Sequence, residues 1–131
     1  ATGTQHGLIV SKTESTAVWQ ATGTTTGADR TEDGAYNTTQ MTSSAAATYV
    51  TSLGPGWYLP SIDELSLLYY NRFSTNKALR AGAYTLLSKI AFYWSSTESN
   101  TISAYYFNFG QGYASVKPKG DTFSVRAVRA F

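Results

Sequence analysis

Gly56-Trp57-Tyr58-Leu59-Pro60-Ser61-Ile62-Asp63-Glu64-Leu65 carries the clearest start signal in the chain. Ser61 stands where an N-cap residue is needed and Glu64 follows three positions later, so each can satisfy the other's free backbone N–H in a capping box. Ile62, Leu65, Leu68 and Tyr69 then share one face at helical spacing, which predicts a helix from Ser61 to Arg72. The adjacent carboxylates of Asp63 and Glu64 invite a glycosidase reading, but consecutive helical residues point about 100° apart and acids in a first turn complement the helix dipole. A glycosidase needs two acids facing each other across a cleft, which this spacing alone does not supply.

Upstream, Leu8-Ile9-Val10 reads as an opening strand and Ala17-Val18-Trp19 as a short strand or buried corner. Residues 21–39 are rich in Thr and Gly, a composition that predicts a long ordered, variable loop. A helix is expected from Thr42 to Leu53, opened by hydroxyl caps and closed by Gly54-Pro55-Gly56. Downstream, a short helix is expected from about Asn76 to Gly82. After Phe92 the period becomes two: Tyr105, Phe107 and Phe109 point one way, Tyr106 and Asn108 the other. Gly110-Gln111-Gly112 turns the chain into an antiparallel partner at 113–117, and Pro118-Lys119-Gly120-Asp121 turns it again into one last strand, 123–131, apolar on both faces and so central.

Three later segments answer the opening stretch: Tyr93-Trp94-Ser95-Ser96-Thr97-Glu98, Ala104-Tyr105-Tyr106-Phe107-Asn108-Phe109-Gly110, and Val125-Arg126-Ala127-Val128-Arg129-Ala130-Phe131. In this order they resemble the bacterial domain at the C-terminus of the Legionella collagen-like adhesin, from about His6 to the last residue. The resemblance implies an α+β architecture: a compact C-type lectin-like fold, shared with formylglycine-generating enzymes, with two to three helices packed on mainly antiparallel sheet. It further implies a secreted or cell-surface adhesin domain that binds sulfated glycosaminoglycan or another anionic polysaccharide and is not an enzyme. Because the collagen stalk of that adhesin is three-stranded, a homotrimer is expected. The same scaffold in phage and secreted receptor-binding proteins gives the alternative, recognition of a protein through Tyr-rich variable loops.

The chain's 131 residues are read as one domain. Ten Tyr, six Phe and three Trp stand against only ten Lys and Arg and eight Asp and Glu, the balance of an extracellular binding module. Without cysteine there is no thiol catalysis, thiolate metal site or disulfide. No apolar run approaches the roughly 20 residues of a membrane span, so membrane insertion is not expected. The start at Ala1-Thr2-Gly3-Thr4 reads as cut from a longer protein with signal and stalk upstream.

His6 is the single histidine and is read as a strand-edge residue, since no zinc set or Ser/His/Asp triad can be assembled around it. The calcium-dependent lectins hold their ion and sugar through Glu-Pro-Asn or Gln-Pro-Asp followed by Trp-Asn-Asp, none of which occurs; Asp29, Glu32 and Asp33 make at most a weak calcium cluster. No catalytic residue, metal or cofactor is expected, and nucleic acid is not an expected partner. Trp57 and Trp94 are read as core, and Ser95, Ser96 and Thr97 as satisfying backbone groups in a buried turn. Arg126 and Arg129 lie on opposite faces of the last strand and cannot form one patch.

The net charge of +2 is unevenly spread: from Leu65 to Thr97 there are Arg72, Lys77, Arg80 and Lys89 and no acid. With Lys117 and Lys119 on the late hairpin, these six are the expected exposed ligand-binding residues. Lys and Arg are what repeated sulfate and carboxylate groups require.

Overall fold

The computed structural model describes residues 7–131, and His6 lies outside the described residues. In chain order the elements are β1 (Leu8–Val10), β2 (Ser15–Val18), α1 (Gly34–Gln40), α2 (Ala45–Ser52), β3 (Trp57–Tyr58), α3 (Ile62–Tyr70), α4 (Arg72–Ala81), β4 (Phe92–Glu98), β5 (Ser103–Asn108), β6 (Tyr113–Pro118), β7 (Thr122–Val125) and β8 (Val128–Ala130). The class is α+β, as the sequence indicates, with four helices among the described residues where two or three were expected.

Five strands form a sheet in the order β2-β7-β4-β5-β6, and three more form a second sheet, β1-β8-β3. Pairing is antiparallel throughout except between β4 and β7, where Tyr93 meets Ser124 in parallel. The first and last strands lie side by side, Leu8 opposite Ala130.

Period-two alternation in β4 and β5 explains the two cores. Trp94 sits opposite Tyr106, and both join Trp19, Met41, Ala46, Val50, Leu59 and Val125 in one cluster. Tyr93 sits opposite Phe107, and both join Ile62, Leu65, Leu79, Leu87 and Phe109 in the other. Both faces of the central hairpin are therefore covered, by α2 on one side and by α3 and α4 on the other, which is why aromatic residues occupy both phases of its alternation.

The capping box forms as the residues require: Glu64 N donates to Ser61 Oγ at 3.3 Å and Ser61 N donates to Glu64 Oε1 at 3.0 Å. Glu64 also accepts from Gly34 N at 3.0 Å and from the Tyr58 hydroxyl at 2.8 Å. All of these partners are structural groups: the backbone N–H of Ser61 and of Gly34 and the Tyr58 hydroxyl. The Gly34 contact explains a helix that composition concealed. Within the stretch expected to be loop, α1 is nucleated by Asp33, which accepts from Tyr36 N at 2.9 Å, and by Glu64 from a distant segment. A side chain at Gly34 would strike Leu59 O and Ser61 N at 2.6 Å, so glycine is needed for this close approach.

Three other boundaries differ from expectation. Ser44, whose hydroxyl accepts from Ala47 N, caps α2, whose first residue is Ala45, three residues later than Thr42. Asn71 ends α3 with φ −105° and ψ 12°, and α4 begins directly at Arg72 rather than near Asn76. The terminal strand is two strands in two sheets, separated by buried Arg126 and Ala127. Arg126 forces that break by turning its whole guanidinium inward: Nε donates to Ser11 O at 2.8 Å, Nη1 to Glu14 Oε1 at 2.8 Å, and Nη2 to Thr85 O at 2.8 Å and to Ser11 O. Arg129, in β8 beyond the break, is exposed.

The Trp94-Ser95-Ser96-Thr97 segment is a bulge within β4 rather than a turn. Its backbone groups are taken by other segments: Ser96 N by Pro60 O at 2.8 Å, Glu98 N by Ala28 O at 2.7 Å, and Ser95 O by the Trp19 indole at 2.8 Å. Ser95 Oγ donates to Tyr105 O and Thr97 Oγ1 to Arg30 O, and Ile62 N donates to Thr97 Oγ1. Ser95 and Thr97 thus do satisfy buried backbone groups, as their type predicts, whereas the Ser96 hydroxyl accepts from the Asn37 side chain at 3.4 Å.

Candidate functional site

An open groove of about 910 Å³ lies between α4, the segment after it and the β5–β6 turn. Phe73, Lys77 and Arg80 all line it, at the i, i+4, i+7 spacing that places side chains along one helical face. Leu79 is buried against the core from the same helix, so burial of one α4 face presents this stripe outward.

The opposite wall, residues 86–89, has no regular structure and is held by side chains. Asn76 on α4 clamps it with two hydrogen bonds, Leu87 N to Asn76 Oδ1 at 2.8 Å and Asn76 Nδ2 to Leu87 O at 3.3 Å. Ser88 N donates to the Tyr93 hydroxyl at 2.8 Å, and that hydroxyl donates to Glu14 at 2.9 Å. Burial pushes the Tyr93 pKa upward and the neighbouring Glu14 carboxylate adds to it, so the phenol keeps the proton it donates. Ser88 Oγ accepts from Ile90 N and Ala91 N, fixing the backbone beside Lys89.

The floor is aromatic. Tyr69 packs edge-on against Phe109 with ring centroids 5.2 Å apart, and Arg72 lies over the Tyr69 ring at 4.0 Å while its Nη1 donates to Tyr69 O at 2.9 Å. Gly112, at φ +79°, admits the Tyr69 hydroxyl 2.6 Å from where a Cβ would stand. Tyr70 and Phe73 border the groove and are 71% and 80% exposed as residues.

Of the six basic residues singled out from the sequence, Arg72, Lys77, Arg80 and Lys89 converge on this groove. No Asp or Glu lines it, and among the described residues none of the four has a carboxylate within 4.0 Å. Lys117 is half-buried on β6 and lies outside the lining.

Lys119 is a correction: it is not exposed but 1% accessible. Its Nζ donates to Glu98 Oε2 at 2.6 Å, Thr24 O at 2.8 Å and Gln20 Oε1 at 3.4 Å, and lies over the Trp19 ring at 4.7 Å. Burial pushes the Glu98 pKa up, but the Lys119 hydrogen bond, the Thr26 N–H and hydroxyl and the Lys119 charge together hold it below its ordinary value. This is a buried ion pair that closes the 20–28 segment onto the sheet, with nothing left to offer a ligand.

The tryptophans also divide. Trp94 is fully buried, as expected, whereas Trp57 is half-buried at the edge of its cluster. Asp29, Glu32 and Asp33 do not gather: Asp33 caps α1 and pairs with Arg30 at 3.0 Å, while Asp29 and Glu32 face solvent. The backbone N–H of Tyr36, against a smaller cost of burial, holds the Asp33 pKa below its ordinary value, with Arg30 assisting. Among the described residues no group of three or more His, Asp or Glu is placed to hold a metal ion, and no helix is long and apolar enough to cross a membrane. Sequence reasoning missed Tyr70, Phe73 and Asn76. Phe73-Lys77-Arg80 was readable once α4 is taken to begin at Arg72.

The class is thereby defined: a mixed α+β domain with an open groove lined by cations and aromatic rings. The chain belongs to the Lcl C-terminal domain family, whose model matches residues 8–129. Among solved structures it is similar to a fimbrial protein from Bacteroides ovatus, with a TM-score of 0.73 at 20% sequence identity, over 95% of this chain and 36% of that one. That likeness is one of fold. No curated protein matches the chain in sequence.

Proposed function

We propose that this domain is a bacterial surface adhesin module that binds sulfated or otherwise anionic polysaccharide through the α4 groove, without covalent chemistry. The observation that carries the reading is the convergence of Arg72, Lys77, Arg80 and Lys89 on one open groove that contains no acid. Cations without carboxylate partners keep their field for a ligand, and a ligand carrying repeated sulfate or carboxylate groups can meet several at once. Family membership and the likeness to a fimbrial protein support a role outside the cell. Helices packed on mainly antiparallel sheets, with first and last strands paired, support the C-type lectin-like assignment of the fold. A homotrimer would repeat the groove three times and raise avidity with no new contact.

The test is the triple variant Lys77→Glu, Arg80→Glu, Lys89→Glu, whose side chains are all exposed, measured on a heparin column with folding followed by circular dichroism. Elution at much lower salt is expected. Unchanged retention of a folded variant would overturn the reading.

A further inference from the structure

We infer that the groove reads the sugar ring as well as its charge, with Phe73 and Tyr70 as a stacking surface for the C–H face of a pyranose beside the cations. The inference rests on the polysaccharide reading above and deepens it by naming the ligand class: an anionic glycan with an accessible ring face, as opposed to a polyanion of phosphate alone.

Two rings this exposed on adjoining helices, Tyr70 at the end of α3 and Phe73 in the first turn of α4, leave apolar surface in water that an isolated domain gains nothing by exposing. They are not isolated from the charges. Phe73 is four residues from Lys77 and seven from Arg80 on the same helical face, and Tyr70 stacks edge-on against Tyr69 at 5.3 Å, the ring that carries Arg72 at 4.0 Å. The exposed rings of Tyr70 and Phe73 therefore lie next to Lys77 and Arg80 on one wall, so a pyranose stacked on the rings would have its anionic substituents within reach of the cations. The occupant is not a second copy of the same face, because four cations without acids would then meet four more. The opposite wall is pinned by the two Asn76 bonds to Leu87, so the site exists before any ligand arrives.

The two contributions separate by salt. Charge neutralisation weakens as salt rises, whereas stacking does not. Binding of heparin oligosaccharide and of inorganic polyphosphate to the domain would be measured from low to high salt for wild type, for Phe73→Ala with Tyr70→Ala, and for Lys77→Gln with Arg80→Gln. The aromatic pair is expected to lower heparin affinity about tenfold at every salt concentration, with the salt slope unchanged. Polyphosphate binding should be unaffected by it. The cation pair should flatten the salt slope for both ligands. Heparin affinity unchanged in the folded aromatic variant, with the cation variant impaired, overturns the stacking surface and leaves the polysaccharide reading standing. Heparin binding that neither variant alters overturns both. An aromatic variant whose mass by light scattering drops below that of wild type overturns the inference in favour of a subunit contact.

Discussion

Lys119 Nζ lies 2.6 Å from Glu98 Oε2 with both residues buried, which makes a cation from the 118–121 turn a support of the domain's interior and not of its surface. The pair draws in Thr24, Thr26 and Gln20, so the long segment before α1 is fastened to the bulged end of β4. Removing one partner leaves the other charged, buried and unmatched. Lys119→Ala is therefore expected to cost about 3 kcal/mol or more. The double variant Lys119→Met, Glu98→Gln should cost less than the sum of its single changes, and chemical denaturation of the three variants checks it. Additivity would mean the two charges do not act as a pair.

The same pair sets a pH dependence. Glu98 is held below its ordinary value of 4.5 in the folded chain, so its stabilisation is fully present above that value and is lost as pH falls through the lower folded value. Thermal melts of wild type and Glu98→Gln should differ most near neutrality and converge only once the pH has fallen from 4.5 through the lower folded value. A gap that persists at low pH would mean that the carboxylate's charge is not what matters.

The tryptophans should separate in stability. Trp94 is inaccessible and its indole donates to Ala17 O and Asp121 O, both at 3.2 Å, so Trp94→Ala is expected to cost about 3–5 kcal/mol. Trp57, half-buried, should cost clearly less when truncated. Denaturant midpoints of the two variants decide it, and equal losses would show that Trp57 is held as firmly as Trp94.

Asn76→Ala opens the clamp on the groove wall and leaves the backbone groups of Leu87 without their partner, at an expected cost of about 1–3 kcal/mol. Heparin retention should fall in the folded variant although no charge is removed, because Lys89 is no longer held opposite α4. Full retention would show that the 86–89 wall takes no part in binding.

On assembly, a trimer is the expected state, with three grooves on one particle. Light scattering at tens of micromolar should return three times the monomer mass of 14.2 kDa. A monomer would remove the avidity term and leave each groove to act alone.

The sequence by itself determined those elements whose signals are local. The Ser61–Glu64 box, the Gly54-Pro55-Gly56 stop and the alternation of Tyr105, Tyr106 and Phe107 each state a conformation within a few residues, and each is present in the fold. The acid-free interval was equally legible, since charge can be counted without knowing direction, and four of its cations do meet in one groove. Only the tertiary structure decided the rest. Helix α1 depends on a carboxylate thirty residues away in sequence, and the division of the last strand depends on carbonyls and a carboxylate that reach Arg126 from 11, 14 and 85. Lys119 and Lys117 are two residues apart on one hairpin and look alike as sequence. What separates them is Glu98, brought across from β4, which makes one a buried ion and leaves the other partly in water. Charge is a property of a residue, but whether it is free for a ligand is decided by what the fold places opposite it.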